Sequence, residues 1–152
     1  MPKYSSGGVA AHELDYVEKE TNTTISATAV SASDTIVTAS ELTFDGATAV
    51  LIEFYAGIVE PGATAGDKVL LQLFDGSTSI AQLGQVRSPV VTTTPFTPVH
   101  LVRRITPSEA AHTYSIRAYR VGTSNGTVYA GSGGEDLFAP AFIRITVADL
   151  AA

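Results

Sequence analysis

Along the chain, apolar and polar residues alternate in short runs rather than recurring with a helical period. Stretches rich in β-branched and aromatic residues return about every ten residues, with Gly, Pro, Asp and Ser clusters between them. That is the pattern of an all-β chain, not of strands alternating with helices. It predicts nine or ten strands: ELDYVEK from Glu13, TTISATAV from Thr23, TIVTA from Thr35, ATAVLIEFYAG from Ala47, KVLLQLFD from Lys68, TSIAQLGQV from Thr78, PVHLVRRIT from Pro98, HTYSIRAYRV from His112, GTVYAGS from Gly126 and PAFIRITV from Pro140. A single helical turn is expected at most, over Pro107 to Ala111, with Thr106 as its cap.

The punctuation between the runs agrees. Asp75-Gly76, between KVLLQLF and TSIAQLGQV, is the strongest hairpin signal, because a tight turn needs residues that tolerate positive φ. Asp45-Gly46 and Asn125-Gly126 are similar. Pro95 and Pro98 flank one strand and mark it as an edge, since proline brings no amide to a ladder.

Alternation also divides each strand into two faces. Val50, Ile52 and Phe54 oppose Leu51, Glu53 and Tyr55. Val69, Leu71 and Leu73 oppose Leu70, Gln72 and Phe74, and Ile143, Ile145 and Val147 oppose Phe142, Arg144 and Thr146. The second face of each is not properly polar, whereas a free antiparallel sandwich normally wets its outer surface. The expectation is an outer sheet face that packs against another subunit. Residues 1–12 differ from the rest: MPKYSSGGVAAH is small and flexible, and is expected either to fray or to form an arm that orders on a neighbour, with Tyr4 and Val9 as anchors. Residues 13–152 form a single domain.

Composition narrows the function. The chain has 152 residues, no cysteine and 45% hydrophobic residues, so a core must hold it without disulfides or thiolate zinc sites. Only 16% of residues are charged, which leaves an unusually neutral surface. A net charge of -6 repels a phosphate backbone, and the basic residues form no run longer than Arg103-Arg104, so nucleic acid is not an expected partner. No run of 18 apolar residues is present, and the first residues do not resemble an export signal, so no membrane partner is expected.

Catalytic and metal motifs are sparse. His12, His100 and His112 have no metal-ligand spacing, and there is no GxSxG elbow, so a triad would need convergence in the fold. GSGGEDLF, from Gly131 to Phe138, lacks the Lys-Ser/Thr ending of a phosphate loop, and no DxDxDG spacing supports calcium. Neither a cofactor nor a metal is expected, and the chain reads as non-enzymatic. Tyr55, Tyr119, Tyr129 and Phe138 suit sugar stacking and subunit contact equally. Arg117 and Arg144 stand beside aromatic residues within strands and are expected to pair with Glu53, Asp75 or Glu109.

Across nearly all of the chain after Glu13, the segments TFDGATAVLIEFYAG, TPSEAAHTYSIRA and PAFIRIT resemble a group of small phage virion proteins. The strand plan also looks like the jelly rolls of the tumour-necrosis-factor type, which assemble as trimers through aromatic sheet faces. The resemblance implies an antiparallel jelly-roll sandwich and a homotrimer with Leu51, Tyr55, Tyr119 and Phe142 at its contact. It also implies a decoration protein on the exterior of the phage particle, bound to the major capsid protein or another virion protein. The alternative it leaves open is a tail, fibre or spike module that binds a host receptor or glycan.

Overall fold

A computed structural model describes residues 12–89, 95–131 and 138–148. Its strands, in chain order, are β1 (Glu13–Lys19), β2 (Thr23–Ile25), β3 (Asp34–Thr38), β4 (Leu42–Thr43), β5 (Val50–Glu60), β6 (Lys68–Asp75), β7 (Thr78–Arg87), β8 (Thr97–Ile105), β9 (Ala111–His112), β10 (Tyr114–Val121), β11 (Gly126–Tyr129) and β12 (Ala141–Val147). Each of the ten expected runs contains a strand. One 3-10 turn, Val30–Ala32, interrupts the β structure.

All pairings are antiparallel. The first sheet runs β1-β12-β5-β8, with β11 and β2 continuing it beyond the far half of the long β5. The second runs β3-β10-β6-β7. Successive long strands cross repeatedly from one sheet to the other, and the result is a jelly-roll sandwich. One inner face presents Val50, Ile52, Phe54, Ile143 and Ile145, and the other Val69, Leu71, Leu73, Ile116 and Tyr114; all are buried in one core. Alternation therefore has the phase the sequence pattern allows, with Leu51, Glu53, Tyr55, Phe142 and Arg144 turned outward.

The expected helical turn at Pro107 to Ala111 is absent. Ala111 and His112 pair instead with Thr43 and Leu42, and the Phe44 amide donates to the Ala110 carbonyl at 3.0 Å. A strand partner supplied from β4 outcompetes a helix too short to nucleate alone. The Asp75-Gly76 hairpin is present: Asp75 pairs with Thr78, and Gly76 takes the left-handed φ of 55° in the turn between them.

One end of the sandwich is tied by a single carboxylate. Asp67 is 2% exposed, and accepts from the amides of Thr123 (2.9 Å), Ser124 (3.1 Å) and Thr64 (3.2 Å). Burial alone would raise its pKa; the three amides outweigh burial and lower it. The approach is so close that a Cβ at Gly62 or Gly122 would lie 2.2 or 2.0 Å from a carboxylate oxygen. Loops 61–67 and 122–125 are thereby fixed to each other and, through the Ser88 amide donating to the Asp67 carbonyl at 2.8 Å, to the end of β7.

Candidate interaction face

The outer face of the first sheet carries a row of rings across four strands. Tyr16 on β1 packs against Phe142 on β12 at 5.1 Å between centroids, Phe142 stacks on Tyr55 of β5 at 5.6 Å, and Tyr55 meets the His100 ring of β8 edge-on at 6.5 Å. The register puts them side by side, because Phe142 pairs with Tyr55 and Tyr55 with His100. A second cluster continues the same face: Tyr129 on β11 contacts Phe96 at 6.2 Å and Phe138 at 4.9 Å. Tyr16, Val102 and Phe96 on this face are 41%, 51% and 62% exposed.

Amid these rings lies one ionised group. Glu53 receives Arg144 Nε at 2.8 Å and Nη2 at 2.5 Å on one oxygen, and His100 Nε2 stands 2.5 Å from the other. Burial alone would raise the Glu53 pKa, but the Arg144 and His100 hydrogen bonds more than offset it and hold the carboxyl below its ordinary range. At the far end, the Tyr129 hydroxyl donates to Glu60 at 2.5 Å; that bond, reinforced by burial and the Glu60 charge, pushes the Tyr129 pKa up to about 12.

Of the four residues expected at a subunit contact, Leu51, Tyr55 and Phe142 share this face. Tyr119 does not. It lies on β10, paired with Leu70 of β6, on the outer side of the second sheet, because Tyr114, Ile116 and Ala118 take the inward positions of that strand. The expected arm anchors Tyr4 and Val9 lie outside the described residues. Tyr16, His100, Val102 and Phe96 belong to the face but were not singled out as contact residues; strand register, which alternation does not specify, places them there. Arg144 pairs with Glu53 as expected, whereas Arg117 sits 4.4 Å above the Phe74 ring and donates to the Gly76 carbonyl at 2.7 Å.

Convergence does bring a serine, a histidine and an aspartate together. His112 Nδ1 is 2.6 Å from Asp75, and its Nε2 is 3.1 Å from Ser108 Oγ. The same Nε2 is also 3.1 Å from the Ser108 carbonyl, so both ring nitrogens face acceptors, and the ring stacks on Tyr114 at 5.8 Å. The group staples the 106–110 loop to the β6–β7 hairpin. Among the described residues, no group of three His, Asp or Glu is placed to hold a metal ion, and no helix is long and apolar enough to cross a membrane.

No family model matches the chain, and no curated protein matches it. Among solved structures, a chain in the crystal structure of dimeric latent PorU from Porphyromonas gingivalis is similar at 12% identity and a TM-score of 0.43. The match covers 97% of the present chain but 14% of that one, and a likeness at that level carries no argument about activity.

Proposed function

We propose that this chain is a non-enzymatic structural protein of a phage virion, a decoration protein that binds the outside of the head as a homotrimer and stabilises it by adding buried area. The observation that carries the reading is the continuous aromatic face of the first sheet, on which Tyr16, Phe142, Tyr55 and His100 form one row and Tyr129, Phe96 and Phe138 a second cluster. Rings with a polar tip or edge, grouped on one side, are the composition of a subunit interface core. A closed cyclic assembly covers such a face without leaving a sticky edge. The virion assignment rests on the sequence resemblance. Its mechanism is cohesion: no step of chemistry is required.

Native mass spectrometry of the chain, followed by capsid thermal melts with and without it, tests the reading. A trimer that raises the melting temperature of the head supports it; a chain that stays monomeric and leaves the capsid unchanged overturns it. The exposed rings of Phe96 and Tyr16 also suit stacking on sugars, so a second reading is a tail, fibre or spike module that binds a host glycan. Saturable glycan binding lost on Phe96→Ala or Tyr16→Ala would favour that reading instead.

A further inference from the structure

The aromatic face is bounded by two edge strands of opposite charge. Among the described residues, β1 pairs only with β12 and β8 only with β5, so β8 forms one margin of the first sheet and β1, together with β2 beyond β11, the other. On β1, Glu13 and Glu18 are exposed on the outer side, in register with Thr146 and Phe142, and Glu20 follows the strand end. On β8, His100 and Arg104 are exposed on the outer side, in register with Tyr55 and Leu51, and Arg103 is exposed at the corner of the sandwich. Between the margins, Glu53 and Arg144 cancel each other. The face is therefore acidic along β1, aromatic in the middle with the Glu60 carboxylate at its far end, and basic along β8.

We propose that copies of this chain associate with the β1 margin of one first sheet set against the β8 margin of the next. The inference rests on the reading that this face is buried between copies, and adds which edges meet. A contact that set β1 on β1 and β8 on β8 would bring glutamates against glutamates and arginines against arginines, and like-charge juxtaposition costs several kcal/mol at an interface. Unlike margins meet when each copy offers β1 to one neighbour and β8 to the other, the head-to-tail contact that closes rings. Arg104 also holds an intramolecular contact, so the pairing draws on the charge of the margin and needs no vacant partner.

Three variants test this by native mass spectrometry and sedimentation in low salt. The first carries Arg103→Glu with Arg104→Glu, the second Glu13→Lys with Glu18→Lys, and the third all four changes. Reversing one margin should weaken association on the order of a hundredfold, while the four-fold variant should associate like the original chain, because both margins have changed sign together. An equal mixture of the first two should associate more tightly than either variant alone, in assemblies that contain both, since each margin then finds its opposite only on the other variant. Circular dichroism checks folding, and Arg103→Gln with Arg104→Gln replaces the first variant if reversal disturbs it. If the original chain associates and single-margin reversal leaves its affinity unchanged, the margin pairing is wrong while the buried face stands. An original chain that remains monomeric up to millimolar concentration overturns both.

Discussion

The two outer faces of the sandwich sit at equivalent places and solve the problem of being outside differently. At the centre of the second sheet, Gln72 lies between Leu70 and Phe74; Ser79 Oγ is 3.4 Å from its amide oxygen, and the Arg117 guanidinium covers the Phe74 ring. Gln72 and Phe74 are only 4% and 2% exposed, so the centre of this face is covered by its own long side chains, while Ile80 on β7 and Val121 on β10 stand 41% and 46% exposed. At the centre of the first sheet, Glu53 lies between Leu51 and Tyr55, its charge held by Arg144 and His100, and the rings around it remain partly open. The centre of one face is closed over by its own side chains, whereas the centre of the other keeps its rings partly exposed.

Placing a carboxylate among the rings should break the contrast most severely. Phe142→Asp is expected to weaken self-association by about 4 kcal/mol, roughly a thousandfold, because an unpaired charge would be buried at the contact. Tyr119→Asp, the same insult on the second sheet, should leave the oligomer intact. Sedimentation equilibrium on both variants reads the difference, and equal losses would mean that the two faces are not functionally distinct.

Glu53→Gln makes the centre of the first sheet resemble that of the second, and should cost about 2 kcal/mol of stability at pH 7, the range of hydrogen bonds to a charged group. Because the folded pKa of Glu53 lies below its ordinary value of 4.5, the unfolded chain binds the proton more readily. The stabilisation is complete above that value and lost as pH falls through the lower folded pKa. Urea melts between pH 7 and pH 3 should show the parent approaching the variant on acidification; a constant gap would exclude the linkage. The smallest effect is expected for Arg117→Ala, about 1 kcal/mol from the lost cation–π contact and cover over Phe74, with new binding of a hydrophobic dye at the uncovered ring as the second readout.

Much of this fold was legible in the sequence because strand patterning is local. Val50, Ile52 and Phe54 announce an inward face by their spacing alone, and Asp75-Gly76 announces its hairpin. What alternation does not state is which sheet a strand joins. Tyr119 and Tyr55 both point outward from their own strands, yet β10 and β5 belong to opposite sheets, a separation that periodicity does not state. The two-residue strands β4 and β9 were invisible for a related reason: two residues have no period, and their pairing depends on a partner about seventy residues away in sequence. The His112 staple likewise reaches Asp75 from 37 residues further along the chain, a relation with no local signature.

The Asp67 tie at the end of the sandwich bears on time as well as structure. Its amide partners on Thr123 and Ser124 lie 56 and 57 residues along the chain, so the carboxylate gains two of its three amide hydrogen bonds only after both loops have been delivered by strands already paired. Contacts that require so much prior loop closure belong late in folding. Replacing Asp67 by Asn should therefore leave the refolding limb of a chevron nearly unmoved and steepen the loss through faster unfolding; slower refolding would place the tie in the nucleus. That residue would then govern how long the folded chain persists rather than how quickly it forms.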